Sequence, residues 1–392
     1  MIDNSAKQPT TSKSLNKNEF RRIMENLKYR KKAEQSDEEA PYIPHEMGLF
    51  LTARCNLRCK HCFEWNEDGF LTNGSAECSG AELPLEMIQN CLEYTRPAGS
   101  RLYLWGGEPL MYSHFHELAC MLKEDKRWTT ICTNGLLIER HLDDIIDMSE
   151  NLVLLISLDG FEDVNDKIRG KGEFSKVIEE IRRLRKLQDE DRYRGEISVC
   201  CVISDDMIGR LYEFAEFMEG LEINSLYLSF PWYIAPETAA AMDEEVERRF
   251  GDIIDVSDYS EASWHDFTFH ISQDKVSELK EDIRRINGRS WKIRVRFQPA
   301  VQMDEVEDFV DGGVRTVQGR SRCLVPYNRV DILQGGEVSV CKLFSEFTVG
   351  SLKNKSLKDI WEGENMREIR SRLKCGLMPA CSKCVLLYQN GV

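Results

Sequence analysis

No apolar run in this chain of 392 residues reaches the ~18 that a membrane-crossing helix needs; the run LVLLISL after Asn151 stops at Asp159. The first 20 residues are polar and lack the hydrophobic stretch of a secretory signal. Positive charge is in deficit: 52 Lys and Arg against 67 Asp and Glu leave a net charge of −15. A phosphate backbone wants a basic face, and this balance is the reverse. These absences argue against membrane integration and a nucleic-acid partner, and they lead to the expectation of a cytoplasmic protein. His265 and His270 do not form HExxH, so a hydrolytic zinc site has no support. No internal repeat is convincing. With 42% hydrophobic and 30% charged residues, the chain can bury a sizeable core. Its length suits either more than one core or one large α/β barrel with an appendage.

Cysteine is what the chain has in excess, at 14 residues. Without an export signal, such cysteines are more often metal ligands, redox groups or core residues than disulfides. Two groups stand out: Cys55, Cys59 and Cys62 near the front, and Cys323, Cys341, Cys375, Cys381 and Cys384 near the end. Cys78, Cys91, Cys120, Cys132, Cys200 and Cys201 are dispersed and read as small buried hydrophobes.

Residues 1–45 read as a polar N-terminal extension with a short helix over 18–30. From Glu46 a rhythm begins. Strands are expected at 48–53, 101–105, 129–133, 152–157, 196–203 and 225–230. Helices fall between them at 85–94, 114–123, 139–148, 174–187 and 207–218. Apolar strands alternating with amphipathic helices imply βαβ units and a parallel sheet. Six such strands over 46–235 make an α/β fold of the partial (β/α)6, TIM-like barrel type, with chemistry at the strands' carboxyl ends. Residues 236–319 read as a connector with helices at 244–254 and 276–286 and a strand at 292–297. Residues 320–392 form a small hairpin-and-helix module, with a hairpin formed by 328–333 and 337–341 about a Gly-Gly turn.

Cys55-Asn-Leu-Arg-Cys59-Lys-His-Cys62 spaces three thiols as CxxxCxxC directly after the first strand. A [4Fe–4S] cubane takes four thiolates, so three leave one iron open. Zinc asks for a fourth protein ligand, and His61, beside Cys62, is badly placed to share an ion with it. Polar residues punctuate the following strand ends: Gly106-Gly107-Glu108-Pro109, Thr133-Asn134-Gly135, and Ser157-Leu158-Asp159-Gly160 followed by Asn165 and Arg169. Each alone is a turn or cap. In this order after CxxxCxxC they are poorly explained by chance.

On these residues the segment from about 46 to 230 resembles the radical S-adenosylmethionine (SAM) superfamily. The resemblance implies a [4Fe–4S] cluster on Cys55, Cys59 and Cys62, with SAM chelating the open iron. By position, Gly106, Gly107 and Glu108 are expected at the methionine amine. Ser157 and Arg169 are expected at its carboxylate, and Asp159 near the ribose. His61, Val202 and Ile203 are expected around the adenine. The chemistry implied is reductive cleavage of SAM to a 5′-deoxyadenosyl radical, which takes hydrogen from an unactivated C–H bond. A flavodoxin- or ferredoxin-type protein is the implied electron donor.

In the rear group, a glycine turn precedes Cys341 and Cys381-Ser-Lys-Cys384 lies near the chain end. Spacing alone leaves zinc and iron–sulfur about even. The pattern resembles the auxiliary-cluster domain, SPASM or its shorter twitch form, appended to many radical SAM enzymes. With five cysteines available, the resemblance implies one auxiliary [4Fe–4S] cluster on Cys323, Cys341, Cys381 and Cys384, with Cys375 as an alternate ligand.

Three functions follow from these expectations. The first is an oxidoreductase maturing a peptide or protein by a crosslink or oxidised side chain. The second is a dehydrogenase of a small-molecule sugar or aminocyclitol alcohol, and the third a non-catalytic iron–sulfur or zinc scaffold. No feature singles out a general base among Asp205, Asp206, Glu237, His265 and His270. Trp232, Tyr233, Trp264 and Trp291 are candidates for a substrate groove or for core packing.

Overall fold

The computed structural model describes residues 43–391 apart from 67–68, 70, 72–79, 255 and 257–258, together with seven positions between 24 and 35. The expected extension and its helix fall almost wholly outside that set, as does Cys78.

Strands β1 (Glu46–Phe50), β2 (Arg101–Trp105), β3 (Thr129–Thr133), β4 (Leu152–Ser157), β5 (Glu196–Val202) and β6 (Ser225–Ser229) pair in parallel, in chain order. The helices between them include α1 (Leu85–Thr95), α2 (Phe115–Asp125), α3 (Leu142–Asp147), α4 (Glu162–Arg169), α5 (Glu173–Asp189) and α6 (Leu211–Gly220). This is the α/β, partial-barrel arrangement that the alternating pattern implied.

The parallel sheet is wider than six strands. β7 (Arg294–Gln298) adds to β6, and β8 (Arg329–Ile332) adds to the free side of β1. β9 (Glu337–Ser339) and β10 (Thr348–Ser351) extend it antiparallel, giving the order β10-β9-β8-β1-β2-β3-β4-β5-β6-β7. The 236–319 segment therefore supplies a sheet strand besides the helices Pro236–Phe250 and Val276–Asn287. β7 alternates, burying Val295 and Phe297 and exposing Arg296, which is the pattern of a strand wet on one face. The expected hairpin forms between β8 and β9, Asp331 opposite Ser339. That β8 would also join β1 was not visible in its local pattern.

The two faces of the parallel sheet carry different side chains because neighbouring residues alternate sides. Ile332, Leu49, Leu104, Ile131, Leu154 and Ile197 lie in one register row and are at most 1% exposed. The opposite face turns Tyr103, Trp105, Cys132, Leu155, Ser157, Cys200, Val202 and Tyr227 into the barrel lumen. At the β1–β8 seam, Gly48 is required: a Cβ there would sit 1.8 Å from Asp331 Oδ1, whose carboxylate holds Arg329 at 2.6 Å. No helix among the described residues is long and apolar enough to cross a membrane.

Candidate active site

The front thiols sit on the loop that leaves β1, at the barrel's carboxyl end. Cys59 is buried and Cys55 and Cys62 half-buried; none is in a disulfide. Three neighbours fix the loop. Lys60 N–H donates to the Ile168 carbonyl at the end of α4 (3.1 Å). Gly107 and Glu108 N–H groups donate to the Thr52 and Arg54 carbonyls (2.9 and 2.8 Å). A Cβ on Gly107 would lie 2.4 Å from the Arg54 oxygen, so this glycine lets the strand-two exit lie against the thiol loop.

Beneath the loop, Asp159 is fully buried. Its Oδ2 lies 2.5 Å from His61 Nε2 and 2.7 Å from Arg169 Nε, and its Oδ1 accepts from the Val202 N–H at 3.0 Å. Burial alone would raise this carboxyl, but Arg169 and His61 hold it well below the usual carboxylate range. Arg169 Nη1 in turn donates to Cys59 Sγ at 3.8 Å. Glu108 is 1% exposed and accepts from Thr133 Oγ1 (2.6 Å), Asn134 N–H (2.7 Å) and Leu110 N–H (3.1 Å). Burial pushes its carboxyl up despite those bonds. Thus β1, β2, β3 and β4 exits are joined by their own polar groups.

One cavity of about 2200 Å³ opens on this arrangement. Cys55, Cys59, His61, Cys62, Gly106, Gly107, Glu108, Ser157, Arg169 and Val202 all line it. Two expected residues do not: Asp159 lies behind Arg169 and His61, and Ile203 is fully buried in the core.

The rear cysteines converge without Cys375. Burial raises all four thiols; Cys381 and Cys384 add to the rise at Cys323 and Cys341, and Cys384 adds to it at Cys381. Cys375 is exposed at the end of the helix Glu364–Lys374 and donates to the Ser371 carbonyl. Among the described residues no three His, Cys, Asp or Glu side chains are gathered tightly enough for a metal ion. Thiolates that bind separate irons of a cubane stand further apart than those sharing one ion. The donor chemistry of both sets, thiols free of disulfides with a cation at Cys59, fits iron–sulfur ligation.

The expected general-base candidates lie elsewhere. Asp205 caps Ser272, His265 meets Asp243 at 3.0 Å, and Asp206, Glu237 and His270 are exposed; none lines the cavity. Trp264 and Trp291 are core residues, and Tyr233 packs on His270, while Trp232 does line the cavity beside Phe267 and Phe63. Sequence reasoning passed over Glu64 and Lys342, both of which line it. Burial pushes the Glu64 carboxyl up to about 7, partly offset by Lys342. Burial, with Arg329 nearby, pulls the Lys342 ammonium down to about 8. The available signal was position: a charge two residues after Cys62 and another directly after Cys341. Cys132 and Cys200, read as core, also face the lumen.

A family model for the radical SAM superfamily matches residues 49–222, and one for the SPASM iron–sulfur cluster-binding domain matches residues 323–385. The chain is 34% identical over 142 residues to the Fe-coproporphyrin III synthase of Methanosarcina barkeri, covering 36% of this chain and 33% of that protein. It is 22% identical over 344 residues, 86% of each chain, to the tungsten-containing aldehyde ferredoxin oxidoreductase cofactor-modifying protein of Pyrococcus furiosus. It is 30% identical over 167 residues to the mycofactocin maturase MftC of Mycolicibacterium smegmatis, 42% of this chain and 39% of the other. In fold it is similar to Streptococcus suis SuiB bound to precursor peptide SuiA, with a TM-score of 0.60, 16% identity, and coverage of 95% of this chain and 75% of that one.

Proposed function

This chain is a radical SAM enzyme with a C-terminal SPASM domain, and from that premise we propose that it modifies a side chain of a peptide or protein. The radical SAM domain binds a [4Fe–4S] cluster and SAM, and the SPASM domain binds auxiliary iron–sulfur. In this reading Cys55, Cys59 and Cys62 hold the first cluster, and Cys323, Cys341, Cys381 and Cys384 hold one auxiliary [4Fe–4S] cluster. Gly106, Gly107, Glu108, Ser157, Arg169, His61 and Val202 surround SAM. When bound, cluster and SAM supply reductive, radical hydrogen abstraction at an unactivated C–H bond.

The protein's own part is position and dryness. Asp159 is a positioning residue: its carboxylate turns His61 and Arg169 toward the cavity from beneath. Glu108, bonded by Thr133 and Asn134, sets the β2 exit against the thiol loop. Phe63, Trp232 and Phe267 form an aromatic wall that sheds water from the reacting region.

The observation that carries the peptide reading is the extent of the cavity. It runs from Cys55, Cys59 and Cys62 to Lys342, Val385 and Tyr388, which neighbour the rear cysteines. Its 2200 Å³ exceeds the ~300–1,000 Å³ of ordinary small-molecule sites, leaving room for an extended substrate beside SAM. The matches to MftC, named a maturase, and to SuiB, solved with a precursor peptide, support the same reading. The test is anaerobic incubation of reconstituted protein with SAM, dithionite and peptides encoded beside its gene. A peptide losing about two hydrogens with formation of 5′-deoxyadenosine supports the proposal. Cleavage of SAM with every peptide unchanged, and oxidation of a small alcohol instead, overturns it.

A further inference from the structure

The cations that line the cavity are not alike. Arg169 is engaged by Asp159, and Arg329 by Asp331 at 2.6 Å and Glu46 at 3.5 Å. Lys342 is different. Its Nζ sits over three aromatic faces, 4.2 Å from the Tyr103 centroid, 4.9 Å from Trp105 and 5.6 Å from Trp232. No carboxylate or carbonyl among the described residues lies within hydrogen-bond or ion-pair distance of it.

A ring face steadies a cation by its quadrupole but accepts no ordinary hydrogen bond. An ammonium has three N–H donors and no acceptor. The cage therefore holds the charge in place while leaving those donors directed at the lumen, and a donor held away from bulk water gains from an acceptor. The side chain is rigidly mounted. It follows Cys341 at the end of the β9 arm, and its cage comes from β2 and from the exit of β6. The front thiols line the same cavity, and the rear set approaches it through Lys342 and Val385, which directly follow Cys341 and Cys384.

From this geometry we infer that Lys342 is a substrate-binding residue that receives a carboxylate of the substrate, anchoring it between the two thiol groups. This rests on the proposed action on peptides, and it narrows the substrate to one presenting a free carboxylate, from an acidic side chain or a chain terminus, beside an apolar group that meets Trp232. The specificity is recognition by charge, and no proton moves.

The test is equilibrium binding to the SAM-loaded, reconstituted protein without reductant, followed by tryptophan fluorescence, since Trp105 and Trp232 flank the ammonium. The probes are N-acetyl-phenylalanine, N-acetyl-glutamate and N-acetyl-aspartate, their amides, and inorganic phosphate. The wild type should bind an acid about tenfold or more tightly than its amide. Lys342→Met should lose that preference while keeping wild-type iron content and far-ultraviolet circular dichroism, and Lys342→Arg should keep most of it. Acid and amide binding equally to the wild type, phosphate outcompeting every acid, an undiminished preference in Lys342→Met, or no saturable acid at all would each overturn the anchor. If Lys342→Met does not fold, loss of the preference in Lys342→Gln with its retention in Lys342→Arg decides the matter. Acids that bind without any peptide being modified keep the anchor and defeat the peptide reading, so the two fail separately.

Discussion

His61 and Asp159, 98 residues apart in sequence, meet at 2.5 Å and tie the thiol loop to the exit of β4. Because the same carboxylate oxygen holds Arg169 at 2.7 Å, removing its charge strands a buried guanidinium. Asp159→Asn should cost about 3–5 kcal/mol in urea unfolding. Asp163→Asn, which breaks an exposed pair with Arg210, should cost under about 1 kcal/mol. Equal costs would show that Asp159 organises nothing.

Gly107 and Gly80 form a second contrast. A methyl on Gly107 would strike the Arg54 and Ala53 carbonyls at 2.4 and 2.5 Å, whereas one on Gly80 meets nothing within 4 Å among the described residues. Gly107→Ala should displace the thiol loop and lower iron bound at the front site. Gly80→Ala should match wild type within about 0.5 kcal/mol. Iron analysis after reconstitution, paired with a thermal melt, reads both.

Glu46 gives the pH prediction. Burial alone would raise its carboxyl, but Arg101 and Arg329 more than offset that and leave it lowered. The folded state thus binds this proton more weakly than the unfolded chain. The resulting stability is complete above the unfolded value of ~4.3 and drains away as pH falls through the folded one. Glu46→Gln should cost about 1–3 kcal/mol at pH 7, and its deficit against wild type should shrink below about pH 4. A deficit that grows on acidification contradicts the assignment.

Cysteine substitutions should separate the rear residues by iron counting. Wild type should hold about eight irons, four per cubane. Cys375→Ala should retain them all, since its thiol stands apart from the others. Cys384→Ala should fall toward about four. About four irons with stoichiometric zinc in the wild type would assign the rear site to zinc instead.

The strand–helix alternation, the thiol spacing and the polar strand exits could be read along the chain because each is local. Asp159 illustrates the limit. Its sequence position at a strand end marks it for a ligand, yet burial and its bonds to His61 and Arg169 turn it into a brace. Lys342 is the converse: an ordinary lysine in sequence, whose cage is assembled from residues 103, 105 and 232 only by the fold. β8 escaped for the same reason, since its pairing with β1 crosses almost the whole chain. Gly48 was the trace of it, a strand glycine opposite a buried Asp331.

Because β8 hydrogen-bonds to β1, the two thiol groups are not beads on a tether. Cys55 follows one strand and Cys341 follows a hairpin built on the next, so their separation is a number of ladder rungs rather than a hinge angle. Electron tunnelling falls off steeply with distance, and for clusters held as proposed on these two thiol groups that distance would be set by backbone pairing. Substrate can come and go without stretching the gap.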